Sequence, residues 1–141
     1  MIHFSKQEDY AVVLLTKLAQ NYNKRLIPLS EIANEYKISP LFLRNLAFEL
    51  RKNGIIGAKE GKSGGYFLGK DPKDLKVGEV LSIFEKRPML DCCSFSNSKK
   101  KSKCEKEKIC NVSMIWKRMN KEFLDKVSSL TFHDFIKNNI K

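Results

Sequence analysis

The chain has 141 residues, 42% of them hydrophobic, which suits one globular domain with a core and excludes both a large α/β barrel and a disordered polar chain. Lys and Arg number 27 against 16 Asp and Glu, a formal net charge of +11 that favours an anionic partner, of which nucleic acid is the commonest. No apolar run approaches the ~18 residues of a membrane helix, and residues 1–10 carry Glu8 and Asp9 without an apolar h-region, so neither a membrane span nor a secretory signal is predicted and the chain is expected in the cytoplasm.

Residues 5–21 read as an amphipathic helix, with Tyr10, Val13, Leu14, Lys17 and Leu18 at helical spacing and Asn21-Tyr22-Asn23 as its stop. Pro28 and Ser30 announce a second, short helix over Leu29–Tyr36, whose Ile32, Ala33 and Tyr36 share one face. Lys37-Ile38 makes a tight connection. Ser39 is then a good N-cap and Pro40 a good first residue for a third helix reaching about Asn53, with Leu43, Leu46, Ala47 and Leu50 as its buried stripe and Gly54 just past its end. The period changes next. Ile55–Lys59 and Gly65–Leu68 are β-like runs joined by a Gly/Ser/Lys turn, which predicts a hairpin. Val77–Lys86 returns to helical spacing through Val77, Val80, Leu81 and Phe84, and Arg87-Pro88 stops it.

Residues 88–111 show no period and hold all four cysteines, Cys92, Cys93, Cys104 and Cys110, with a lysine-rich run over 99–108 that reads as solvated loop. From Val112 onward Val112, Ile115, Trp116, Met119, Phe123, Val127 and Leu130 predict a helix of about 18 residues with one apolar stripe, most simply a dimer seam anchored by Trp116. Thr131 caps a final short helix, with Asp134 in its first turn. The expected architecture is mainly α with a small β-hairpin: a winged helix-turn-helix over 1–86, a cysteine loop over 87–111, and a dimerisation helix plus a short C-terminal helix over 112–141.

The order helix, turn, helix, Gly-rich hairpin points to DNA. The third helix enters the major groove and the hairpin lies on backbone or minor groove. Ser39, Leu41, Phe42, Arg44 and Asn45 form the exposed first turns of that helix; Arg44 suits guanine, Asn45 suits adenine and Ser39 suits a phosphate. Lys59 and Lys62 bring charge to the hairpin tip, and Gly61, Gly64 and Gly65 let its backbone approach closely. A trihelical core with a hairpin also serves protein–protein contacts, with the same polar residues merely solvated. No Ser/His/Asp set and no phosphate-binding glycine motif is present, so an enzyme is not expected. Four cysteines within 19 residues of a cytosolic chain indicate metal or redox chemistry. Thiolates suit an iron–sulfur cluster, zinc or copper(I), or a disulfide on oxidation. The five-residue spacer between Cys104 and Cys110 argues against structural zinc.

The stretch IPLSEIANEYKISPLFLRNLAFELRKNGIIGAKEGKSGGYFLGKDPKDLKVGEVL resembles the DNA-binding core of the IscR/NsrR regulators, the Rrf-two superfamily of winged-helix transcription factors. YAVVLLTKLA in the first helix, LRKNGII before the hairpin, GGYFLGKDP after it and VGEV in the fourth helix carry the likeness, which covers residues 1–86 closely and the long C-terminal helix in pattern. The resemblance implies a homodimer on an inverted-repeat duplex and a two-iron two-sulfur cluster that senses nitric oxide, redox state or iron–sulfur status, with nitric oxide or oxygen as effector. It assigns Cys93, Cys104 and Cys110 as ligands, with Cys92 as the alternative to Cys93. The IscR-like fourth ligand is a histidine three residues after the last cysteine, where this chain has Ser113. The NsrR-like arrangement takes an aspartate from the first helix of the partner subunit, which Asp9 matches, with Glu8 beside it. His3 and His133 stand where the family places no ligand. The alternative is a winged-helix regulator without a cluster, whose cysteines form a thiol switch or a zinc site.

Overall fold

In the computed structural model, which describes residues 5–84 and 109–138, the first helix, α1, spans Lys6–Gln20. A capping box starts it: Ser5 Oγ accepts the Glu8 N–H at 3.2 Å, and Glu8 Oε2 accepts the Ser5 N–H at 2.6 Å. Its core face is Ala11, Leu14, Leu15, Leu18 and Ala19, so the buried stripe is rotated from the expected one; Tyr10, Val13 and Lys17 lie at its margins, half-buried.

Helix α2 covers Leu29–Tyr36 as the sequence predicts, but Tyr36 is exposed rather than sharing the buried face of Ile32 and Ala33. The chain turns at Lys37, whose left-handed φ of 53° ends the helix, and buries Ile38. Helix α3 runs Pro40–Lys52 on the expected stripe of Leu43, Leu46, Ala47 and Leu50. Ser39 occupies the N-cap position, yet its side chain makes no capping hydrogen bond. Pro40, with its fixed φ and no N–H to satisfy, starts the helix instead.

Strands β1 (Ile56–Lys59) and β2 (Gly65–Leu68) pair antiparallel, from Ile56 opposite Leu68 to Lys59 opposite Gly65. Ile27 adds one rung beyond β2, exchanging both backbone hydrogen bonds with Tyr66 at 3.0 and 2.8 Å. The hairpin is thereby tied to the loop that precedes α2.

Helix α4 spans Val77–Phe84, α5 Asn111–Ser129 and α6 Phe132–Asn138. The corner between α5 and α6 returns to the segment before α4. Val77 N–H donates to Leu130 O at 2.9 Å, Phe132 N–H to Leu75 O at 3.1 Å and His133 N–H to Pro72 O at 3.1 Å. Phe132 is therefore buried in the same core as α1, α3 and α4. Along α5 the apolar stripe has two environments. Phe123, Val127 and Leu130 are half-buried against that core, whereas Val112, Ile115, Trp116 and Met119, nearer its start, are exposed.

Asp134 fixes the start of α6 by capping back onto Thr131. The Thr131 N–H and hydroxyl both donate to Asp134 Oδ2, at 2.9 and 3.0 Å. The backbone bond foremost, then the hydroxyl, holds the Asp134 carboxyl below its usual range. A carboxylate depressed in the folded state stabilises above its unfolded value, near 3.8, and that contribution disappears as pH falls through the folded value. Asp134→Asn is therefore expected to lower the urea midpoint at pH 7, with the gap to wild type narrowing between about pH 5 and pH 3. A gap that is constant over this range would assign the loss to packing.

Candidate nucleic-acid interface and cysteine segment

With its stripe of leucines turned into the core, α3 presents the opposite side to solvent. Leu41, Arg44, Asn45, Phe48, Arg51 and Lys52 are all exposed, and Ser39 stands exposed just before them. The predicted contact residues thus share one face, except Phe42. Phe42 is half-buried and meets Tyr10 edge to face, with ring centroids 5.5 Å apart, which anchors the start of α3 on α1. Phe48 was not among the expected residues. Its seven-residue spacing from Leu41 was the available signal, but it lies on a face read as polar.

The hairpin tip beside α3 carries Lys59 and Lys62, both exposed, with Glu60 between them in sequence. Gly64 has a structural reason of its own: a Cβ there would lie 2.2 Å from the Lys59 carbonyl oxygen. The turn closes only with glycine at this position.

Ion pairing separates the basic residues into two groups. Lys17 Nζ lies 2.6 Å from Glu35, whose hydrogen bond raises the Lys17 ammonium pKa. Arg25 forks onto Glu31 at 2.8 and 2.6 Å and holds that carboxyl below its usual range. Lys70 pairs with Glu79. By contrast Arg44, Arg51, Lys52, Lys59 and Lys62 form no ion pair among the described residues. Among the described residues, the cations without an ion pair include Arg44, Arg51 and Lys52 on the α3 face and Lys59 and Lys62 on the hairpin.

Of the cysteines, Cys110 is described; Cys92, Cys93 and Cys104, the lysine-rich run over 99–108 and His3 lie outside the described residues. Cys110 is half-buried at the N-cap position of α5, with φ −90° and ψ 98°. Its carbonyl oxygen accepts the Ser113 hydroxyl at 3.0 Å, and Ser113 is buried. Among the described residues, no three His, Cys, Asp or Glu side chains come together as a metal site.

Asp9 is exposed in the first turn of α1, beside a cavity of about 180 Å³ lined by Val12, Val77, Leu81, Val127 and Leu130. That places it at the C-terminal end of α5. Cys110 stands at the other end, 17 residues from Val127, or about 25 Å of helix at ~1.5 Å per residue. Glu8, by contrast, is 6% exposed and engaged in the α1 cap.

The fold is shared with known proteins. The model of the Rrf2 family, described as iron-dependent transcriptional regulators, matches residues 4–138. The HTH-type transcriptional regulator IscR of Klebsiella pneumoniae (strain 342) is 29% identical over 129 residues, 92% of this chain and 76% of the relative. The structure of T. potens IscR superposes with a TM-score of 0.74 at 25% identity, covering 96% of this chain and 87% of that one. CymR, the global cysteine regulator of B. subtilis, superposes with a TM-score of 0.80 over 99% of both chains, and at 22% identity that likeness shows the fold alone.

Proposed function

The chain belongs to the Rrf2 family of transcriptional regulators, and from that membership we propose that it works as a cytoplasmic homodimer that binds an inverted-repeat duplex and senses nitric oxide, redox state or iron–sulfur status through a two-iron two-sulfur cluster. Its relatives are regulators, not enzymes. The observation that carries the DNA part is the α3 face, where Arg44, Arg51 and Lys52, like the hairpin lysines, are exposed and form no ion pair among the described residues. In this reading α3 enters the major groove, where Arg44 addresses guanine and Asn45 adenine. Ser39 contacts phosphate, and Lys59, Lys62 and the Gly64 backbone follow the strand beside the groove.

The cluster reading rests on the donor set and on the family's description. Three thiolates, from Cys93, Cys104 and Cys110, are soft ligands suited to iron–sulfur chemistry. Asp9 supplies the fourth donor, and the ~25 Å of α5 between its neighbourhood and Cys110 means that it comes from the second copy. When bound, the cluster supplies a centre reactive toward nitric oxide and oxygen. The chain's own part is mechanical. Cys110 sits at one end of α5, and the other end packs on α1 and α4, so a change at Cys110 biases how the two recognition helices are spaced.

The test is the visible spectrum, with iron and sulfide content, of protein purified without oxygen. The expected result is a red-brown protein with about two iron and two sulfide per chain. The cluster should be lost in Cys93→Ala, Cys104→Ala and Cys110→Ala, and destabilised in Asp9→Ala. A colourless protein that still retards a duplex would replace the cluster by the thiol switch or zinc site.

A further inference from the structure

The DNA-facing side of α3 is not uniformly polar. Leu41 is 63% and Phe48 66% exposed, although the opposite side of the helix already gives four residues to the core. With Arg44 three residues and Asn45 four residues after Leu41, and Phe48 seven after it, the four form one stripe. Arg51 and Lys52 continue the exposed side, and the acid on this helix, Glu49, is half-buried at its flank. Two large apolar side chains on a helix face that also carries cations without an ion pair among the described residues fit a polyanion that offers apolar contacts of its own. In the major groove the thymine C5-methyl group is that contact.

We infer that Leu41 and Phe48 are specificity residues that pack on thymine C5-methyl groups about three base pairs apart in each half-site, on either side of the bases read by Arg44 and Asn45. The spacing follows from the helix. Seven residues make two turns, about 10.5 Å along the axis, against ~3.4 Å per base step for a helix lying along the groove. The inference rests on the proposal that α3 enters the major groove, and it adds which base pairs the half-site must contain.

The full-length protein is first used to select bound duplexes from a random pool. Each thymine of the selected half-site is then replaced by uracil, which removes the methyl and leaves base pairing intact. Wild type is expected to lose about fourfold in affinity per critical methyl, at two positions roughly three base pairs apart. In Leu41→Ala one of those penalties disappears, and in Phe48→Ala the other. Both residues are exposed, so both variants should melt with wild type. Uracil duplexes bound as tightly as their parent, or penalties that persist unchanged in both variants, would overturn the inference and leave DNA binding standing. A selection that returns no duplex would overturn both. Phe48→Ala that shifts the sedimentation of the free protein while keeping its uracil penalty would assign Phe48 to self-association.

Discussion

Replacing Phe132 by alanine is expected to destabilise the fold by about 3–5 kcal/mol, the usual cost of emptying a buried aromatic site. Phe132 is fully buried, packs against Phe135 with ring centroids 6.0 Å apart, and lies in one core with α1, α3 and α4. Its backbone is pinned as well, because its N–H donates to Leu75 O. The neighbours therefore cannot collapse freely into the space left, which places the variant toward the costly end of that range. Domains of this size have a total stability of about 5–15 kcal/mol, so the melting temperature should fall by roughly 10–20 °C. Phe135→Ala, at a half-buried site, should cost clearly less. Thermal unfolding followed by circular dichroism decides the matter. A loss below about 1 kcal/mol for Phe132→Ala would mean that α6 is not part of the cooperative core.

That expectation concerns a residue the sequence shows only as the start of a short helix. Local signals did place most elements. Pro28 and the Lys37 turn bound α2 at Leu29–Tyr36, and the glycines and lysines after Ile56 mark the hairpin. What they could not supply was tertiary placement. The period of α5 correctly aligns Val112, Ile115, Trp116, Met119, Phe123 and Val127 on one side, but a period fixes direction around the axis and not which height along it meets the core. The split of this stripe between half-buried Phe123 and Val127 and exposed Val112, Ile115, Trp116 and Met119 is set by the α5–α6 corner docking at Leu75 and Val77. Ser39 shows the converse. Its residue type promises a capping hydrogen bond, yet its side chain makes none and stands exposed just before α3. At the candidate site, Arg44 and Asn45 were legible because polar groups on an otherwise apolar helix stand out, whereas Phe48 resembles any core residue until its exposure is seen. The clustering of the cysteines is visible in the sequence and Asp9 is singled out only through family resemblance, whereas the separation of Asp9 from Cys110 came only with the fold.

Trp116→Ala is expected to raise the dimer dissociation constant by at least about 30-fold, corresponding to a hot-spot loss of ~2 kcal/mol. Val112, Ile115, Trp116 and Met119 in the first half of α5, with Ile109 just before it, are 41–81% exposed, an apolar row that a second copy of the same row would cover. In a twofold interface every residue acts twice. If the two indoles contribute independently, the loss reaches roughly 10³-fold. Trp116 is the single tryptophan of the chain, so its emission reports this surface alone. Wild-type emission should shift to the blue as concentration rises through the dissociation constant, and sedimentation should show the dimer forming over the same range. Met114 serves as the control, because it is 68% exposed but lies on the opposite side of α5 from Trp116. Met114→Ala should leave the dimer intact. If instead Met114→Ala dissociates it and Trp116→Ala does not, the seam is on the other face. The cysteine segment gives a second readout. A monomer keeps its own Asp9 about 25 Å of helix away from Cys110, so Trp116→Ala purified without oxygen should also hold its cluster less firmly than wild type, in proportion to the dimer it has lost.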